Sequence, residues 1–501
     1  MAMTRGIRRG VLLALVVSVT AAGSAAAAPL GGWQPQSRGS DVAARLKQQQ
    51  PAPLSSYGPG GGGGGATGVF GDAGLGDPLF PLAGNGGYDV RHYALGLSYD
   101  PATTILDGTA LVLASATESL SRFDLDLRGF TISDLRVDGR PASYTRDGQE
   151  LQITPARPLR AGRPFTVSVR YSGTPEVIID PDGSAEGWVP TSDGAFVVGE
   201  PQGSPGWFPV NDNPRDKATY DIAVSVPAGL TAVSNGVLLG QFTRKGKTTY
   251  VWHEGAPMAS YLATATLGVF DLQRSRIEGI PSYVAVDPSQ AADAAPALAQ
   301  LPEIVKLFSD TYGRYPFDAV GAIVDDAPDV GYALESQTKP NFDRAPDDFT
   351  LAHEISHQWF GDAVTLTTWP DIWLHEGFAT YSEWLWADHT GQFTPQDAFD
   401  YYYDNFAADD PLWSPPPGAV TDASDLFSNS VYLRGGMTLQ ALRVKIGDAR
   451  FFTLLRRWYA QNRYGNVTTP EFIALAERVS GQDLTAFFDA WLYQEGRPAS
   501  W

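Results

Sequence analysis

The 501-residue chain has no cysteine, only six histidines and four methionines, and many fewer basic than acidic residues, 36 against 56. Without cysteine there is no disulfide, no thiolate metal ligand and no thiol nucleophile. A formal charge of −20 leaves no footprint for nucleic acid or for an anionic membrane surface. No internal repeat is present, and long apolar runs are scarce. The run that stands out covers residues 11–19, with Arg5, Arg8 and Arg9 before it and small residues up to Ala28 after it. This three-part build is expected of a secretory signal over 1–28, its apolar core being short for a bilayer span. It implies an exported, extracytoplasmic protein with no membrane partner once the signal is removed.

Glycine and proline are plentiful, 53 and 37. Residues 29–79 carry Gln-, Pro- and Gly-rich stretches that cannot bury enough apolar surface to offset their ordering entropy, so a linker or disordered tail is expected there. From Tyr88 the pattern changes to period-two alternation in 90–99, 122–127, 165–171 and 220–226, separated by Gly, Pro and Asp turns. An antiparallel β domain over 80–272 follows from this. Past Gln290 the period becomes largely helical, which places a mainly helical domain over 273–501. Four closing helices are expected at 439–447, 451–462, 470–481 and 484–494. The fold class is α+β, multidomain.

The chemistry concentrates in His353-Glu354-Ile355-Ser356-His357, followed after eighteen intervening residues by Glu376. Residues four apart on an α-helix share a face, so His353 and His357 can present ring nitrogens to one ion. A catalytic zinc takes three protein ligands and keeps a fourth position open, and Glu376, on a second helix over 371–386, is the candidate third ligand. Glu354 lies too far round the helix to ligate but is placed to take a proton from water at the ion. One zinc per chain is expected. A structural zinc site would more often close with cysteines, which this chain lacks.

The segments 353–365 and 369–379 resemble the zinc core of the M1 (gluzincin) metallo-aminopeptidases. The resemblance implies a saddle-shaped N-terminal β domain, a thermolysin-like catalytic domain, and peptide substrates with a free N-terminus. It extends to Val431-Tyr432-Leu433-Arg434-Gly435-Gly436, similar to the family's Tyr-x-Lys-Gly-Ala segment, with Arg434 for lysine and Gly436 for alanine. That likeness implies Tyr432 as the oxyanion donor. Glu335 takes the place of the amine-binding glutamate of a Gly-x-Met-Glu-Asn segment, with Tyr332 for the glycine, Leu334 for the methionine and Ser336 for the asparagine. Glu200, in a segment similar to Gln-x-Glu-Pro with Val198 for the glutamine, is implied as a second carboxylate for the substrate ammonium. Asp362 and Thr380 are open between orienting the ligands and a capping or surface role.

Three functions follow from these residues: an N-terminal exopeptidase, an endopeptidase or other M1-like zinc hydrolase without a free-amine requirement, and a non-catalytic zinc-containing binding protein. The first requires Glu200 and Glu335 to meet near the metal. The second does not.

Overall fold

The computed structural model describes residues 68–499. The expected signal, 1–28, and the expected tail as far as residue 67 lie outside the described residues. The expected linker is corrected at its C-terminal end, because residues 68–79 are built into the fold. Val69–Phe70 pairs with strand Leu120–Asp126. Asp77 accepts at Oδ1 from the N–H groups of Leu79 and Phe80, 2.9 and 3.0 Å, and at Oδ2 from Trp369 N–H, 2.8 Å. Glycine-rich composition masks this anchorage, since one buried carboxylate with three donors can hold a segment that has little apolar surface.

The first half is β-rich, as the alternation requires. Strand Tyr88–Asp100 buries Tyr88, Val90, Tyr93, Leu95, Leu97 and Tyr99 and leaves the intervening side chains outward or half-buried, the single shift in phase falling at a bulge between Val90 and His92. It lies inside an eight-stranded sheet, flanked by Ile105–Ala116 and Ala218–Pro227. The pairing with Ala218–Pro227 is parallel, a departure from the antiparallel sheet expected. Period two is the same in both pairings, so alternation carries no information on direction. Two smaller sheets complete this half, one of which joins Ala185–Pro190 to Ala195–Val198 and so carries the chain to Glu200.

The second half starts on a hairpin, Asp271–Ile277 and Ile280–Val286, that feeds a parallel pairing with Val320–Val324, every residue of which is buried. Beyond Asn341–Phe342 that sheet ends on the short strand Ala333–Leu334, directly before Glu335. Among the described residues eight helices of eight residues or more follow the hairpin: α1 Ala291–Leu298, α2 Leu301–Tyr312, α3 Asp348–Ser356, α4 Trp373–His389, α5 Pro395–Asn405, α6 Gly435–Ile446, α7 Asp448–Asn462 and α8 Thr469–Ser480. The stop of α8 is the one its sequence announces, Gly481 at φ 68°, where a left-handed residue costs glycine nothing. The fourth closing helix is shorter than expected: Thr485–Phe488 gives way to a π-helical turn, Asp489–Tyr493. Among the described residues no helix is long and apolar enough to cross a membrane.

One hydrophobic core runs through both halves. At their junction the Trp369 ring meets Phe80 and Tyr261 edge-on, centroids 6.2 and 5.3 Å apart. Replacing Asp77 with alanine strands three N–H groups at this junction and should lower unfolding free energy by about 2–3 kcal/mol. Denaturant unfolding measures it, and a loss under about 0.5 kcal/mol would show that water serves those donors instead.

Candidate metal centre and substrate cavity

Helix α3 begins at Asp347, whose side chain accepts from Thr350 N–H at 2.7 Å. It brings His353 and Glu354 to its last turn, and His357, just past the end, keeps right-handed helical angles (φ −57°, ψ −24°), so the i, i+4 relation survives. Glu376 stands on the first turn of α4. Its Oε2 lies 3.1 Å from His353 Nε2 and 3.5 Å from His357 Nε2. All three side chains are buried or nearly so.

The outer ring nitrogens decide which atoms face the gap. His357 Nδ1 is 3.0 Å from the Phe360 carbonyl, which can only accept, so the proton sits on Nδ1 and the Nε2 lone pair points inward. His353 Nδ1 lies 2.5 Å from Glu383 Oε1 and is fixed in the same sense. Glu383 is the residue that reading the sequence missed; it lies seven positions after Glu376 on α4, two turns along the same face, and that spacing was the available signal. Asp362 and Thr380 do not share its part. Both Asp362 carboxylate oxygens lack a hydrogen-bond partner, and its carbonyl accepts from Lys217 Nζ at 2.8 Å. Thr380 packs its methyl group toward Gly436 on α6.

Two imidazole nitrogens and one carboxylate oxygen, all within 4.8 Å of one another, make a donor set that fits zinc. The charges agree. Burial lowers the His357 imidazole, but the carboxylates of Glu376 and Glu335 outweigh it and hold it up at about 9. Burial raises the Glu376 carboxyl, and the two histidines more than reverse this, leaving it well below the usual carboxylate range. Burial pushes Glu354 up to about 8 against the pull of both histidines. A dication at the three donors would favour its ionised form.

Beside the donors opens a cavity of about 390 Å³ that Glu200, Glu335, Glu354 and Tyr432 also line. The structure therefore brings the seven residues given a metal, catalytic or substrate role from the sequence to one place. Glu335 is held by its neighbours: its carbonyl accepts from Gln358 Nε2 at 3.1 Å, and its Oε1 from the Tyr261 hydroxyl at 3.4 Å. Glu200 Oε1 is buried without a partner. Burial first, and the neighbouring Glu335 second, push the Glu200 carboxyl well above its ordinary range. A ring nitrogen of His375 lies within 4.8 Å of both carboxyls, but burial holds that imidazole neutral, so the two are left suited to a cation.

Tyr432 sits on a π-helical turn, Ser430–Arg434, that runs into α6. Its ring stacks on His353, centroids 5.9 Å apart and planes 20° off parallel. Two contacts fix this turn. Arg434, fully buried, donates to the carbonyls of Trp413, Ala490, Trp491 and Gln494. Gly435 meets Gly377 so closely that a Cβ on either would lie 2.9 Å from the other's backbone. The ligand-bearing helix and the tyrosine-bearing turn are thus locked at the residue next to Glu376.

The M1 peptidase-domain family model matches residues 333–491, and the M1 N-terminal-domain model matches 90–262. The crystal structure of an M1 zinc metallopeptidase from Deinococcus radiodurans superimposes with a TM-score of 0.77 at 30% identity, over 85% of this chain and 100% of that one. This chain belongs to peptidase family M1. A variant of the Deinococcus protein bound to a Tyr-Ser-Ala substrate gives a TM-score of 0.78 at 30% identity, over 85% and 98% of the two chains. Glutamyl aminopeptidase from Rattus norvegicus is 28% identical over 58% of this chain and 33% of its own length. Aminopeptidase M1-B from Oryza sativa subsp. japonica is 27% identical over 58% and 36%. The M1 chain described here spans about a third of the length of these curated relatives.

The M1 donor set makes two predictions. Below about pH 9 His357 carries a second proton in the metal-free protein, which an entering dication must displace, so zinc affinity should rise with pH up to that point. Calorimetry in buffers of different ionisation enthalpy counts the released protons, and zero release at pH 7 contradicts the assignment. Glu383→Gln, which keeps the shape and weakens the acceptor behind His353, should loosen zinc by about 10- to 100-fold in a chelator competition.

Proposed function

We propose that this chain is a zinc aminopeptidase that removes the first residue of peptides with a free N-terminus. The observation that carries this reading is the convergence of Glu200 and Glu335 on the cavity that holds the three metal donors. An endopeptidase or a hydrolase indifferent to the N-terminus has no need of two buried carboxylates there. A binding protein has no need of Glu354 and Tyr432 beside the donors.

His353, His357 and Glu376 would hold the zinc, which when bound would supply a Lewis acid able to lower the pKa of water and polarise a carbonyl. Glu200 and Glu335 receive the substrate ammonium through charge-assisted hydrogen bonds, which sets the first peptide bond, and no later one, against Glu354. Glu354 takes the proton from the attacking water and returns it to the departing amine. The Tyr432 hydroxyl, a donor that burial and the surrounding carboxylates keep protonated, meets the negative charge that develops on the carbonyl oxygen. The signal-like segment 1–28 supports an exported location, which N-terminal sequencing of protein recovered outside the cytoplasm would test.

Amino-acid amides of a fluorescent amine, free and N-acetylated, test the reading. Free amides should be cleaved and acetylated ones spared; equal rates on both series would sink the free-amine requirement. Glu354→Gln should remove nearly all turnover while keeping zinc, and Tyr432→Phe should lower kcat by about 100-fold with a smaller effect on KM.

A further inference from the structure

Tyr332 stands where the M1 motif has glycine, and neither the metal chemistry nor the amine clamp uses it. In the structure it lines the cavity, and its hydroxyl donates to the Ala185 carbonyl at 3.2 Å. That bond pins the ring against the turn joining strands Val177–Ile179 and Ala185–Pro190. The same turn brings Asp182 and Ser184 to the cavity wall. Asp182 Oδ1 accepts from the Ser184 N–H at 2.9 Å and from its hydroxyl at 2.6 Å, so the carboxylate is held on the turn. Among the described residues none donates to its Oδ2.

This wall is fastened to the amine clamp. Gln202, two residues past Glu200, donates its N–H to the Glu186 carboxylate at 3.2 and 3.3 Å and its Nε2 to Asp180 Oδ1 at 2.9 Å. The Tyr332 side chain lines the same cavity as Glu200 and Asp182, and burial first, then the charges of Glu186, Asp180, Glu200 and Asp182, keep its hydroxyl protonated. The Gln202 bonds tie the segment just after Glu200 to the residues that flank the turn bearing Asp182.

Resting on the aminopeptidase reading above, we propose that the first residue of the substrate lays its side chain along Tyr332 and that Asp182 selects a cationic end group, arginine or lysine. With the ammonium held at Glu200 and Glu335 and the carbonyl directed to the metal side, the wall nearest the clamp receives the side chain. Thr350, a helical turn before Glu354, and Phe427 are left to the departing portion. A guanidinium over the Tyr332 ring is drawn to its face, and at the end of that path the free Asp182 oxygen offers a charge-assisted acceptor. An acidic first residue meets like charge.

Arginine and its uncharged isostere citrulline, each as the amide of a fluorescent amine, isolate the charge. In the wild type kcat/KM should favour arginine by about fivefold, the range of a solvent-accessible ion pair. Asp182→Asn should bring the ratio near one, and Asp182→Lys should turn it below one and favour glutamate over glutamine. Parity in the wild type overturns the proposal. So does an arginine-to-citrulline ratio that neither variant moves, since a merely structural role would depress both substrates together. Cleavage of leucine amide alongside parity leaves the aminopeptidase reading standing, whereas no cleavage of any free-amine amide overturns both.

Discussion

The rest of this site depends on one electrostatic constraint: the buried carboxyls of Glu200, Glu335, Glu354 and Glu376 face a single cavity, and among the described residues no lysine or arginine lines it. Carboxylates gathered out of water cannot all stay ionised unless cations answer them. In the metal-free protein the histidines supply part of that charge by taking up protons, which is why their pKa values rise while that of Glu376 falls. Zinc at the three donors is a further answer to the same deficit, and the substrate ammonium and cationic side chain proposed above would be two more.

Holding like charges together requires a stiff frame, and the structure supplies it through contacts with little freedom. Gly377 against Gly435 allows two backbones to approach at the residue next to a ligand. Arg434 spends its guanidinium on four main-chain carbonyls rather than on any carboxylate, so the turn bearing Tyr432 is anchored to the C-terminal segment. The buried His375 is likewise structural: its Nε2 accepts from Leu366 N–H at 2.9 Å, and burial drives its pKa down to about 3. It adds no positive charge beside the metal.

Much of this was legible in the chain, and the failures have physical causes. His353, Glu354 and His357 could be read because helical spacing converts four residues into one face. Glu376 could be read because a second helix needs only to cross the first. Glu383 escaped notice because its role depends on which way the His353 ring turns. The parallel pairing of Ala218–Pro227 with Tyr88–Asp100 escaped because alternation is blind to strand direction. Residues 68–79 looked like tail because composition counts apolar surface and cannot count the three donors converging on Asp77.

By itself the sequence determined the candidate metal donors, the glutamate beside them and the β-then-helix order of the chain, because periodicity and spacing are local and survive translation into structure; the candidates for the amine clamp came from the likeness of two short segments to the M1 pattern. Only the tertiary structure decided that Glu200, 153 residues before His353, shares a cavity with it. It alone decided that Glu383 orients a ligand, that Arg434 holds four main-chain carbonyls, and that Tyr332 and Asp182 stand on one wall. These are meetings between segments far apart in the chain, settled by how sheets and helices pack, and no window of sequence contains them.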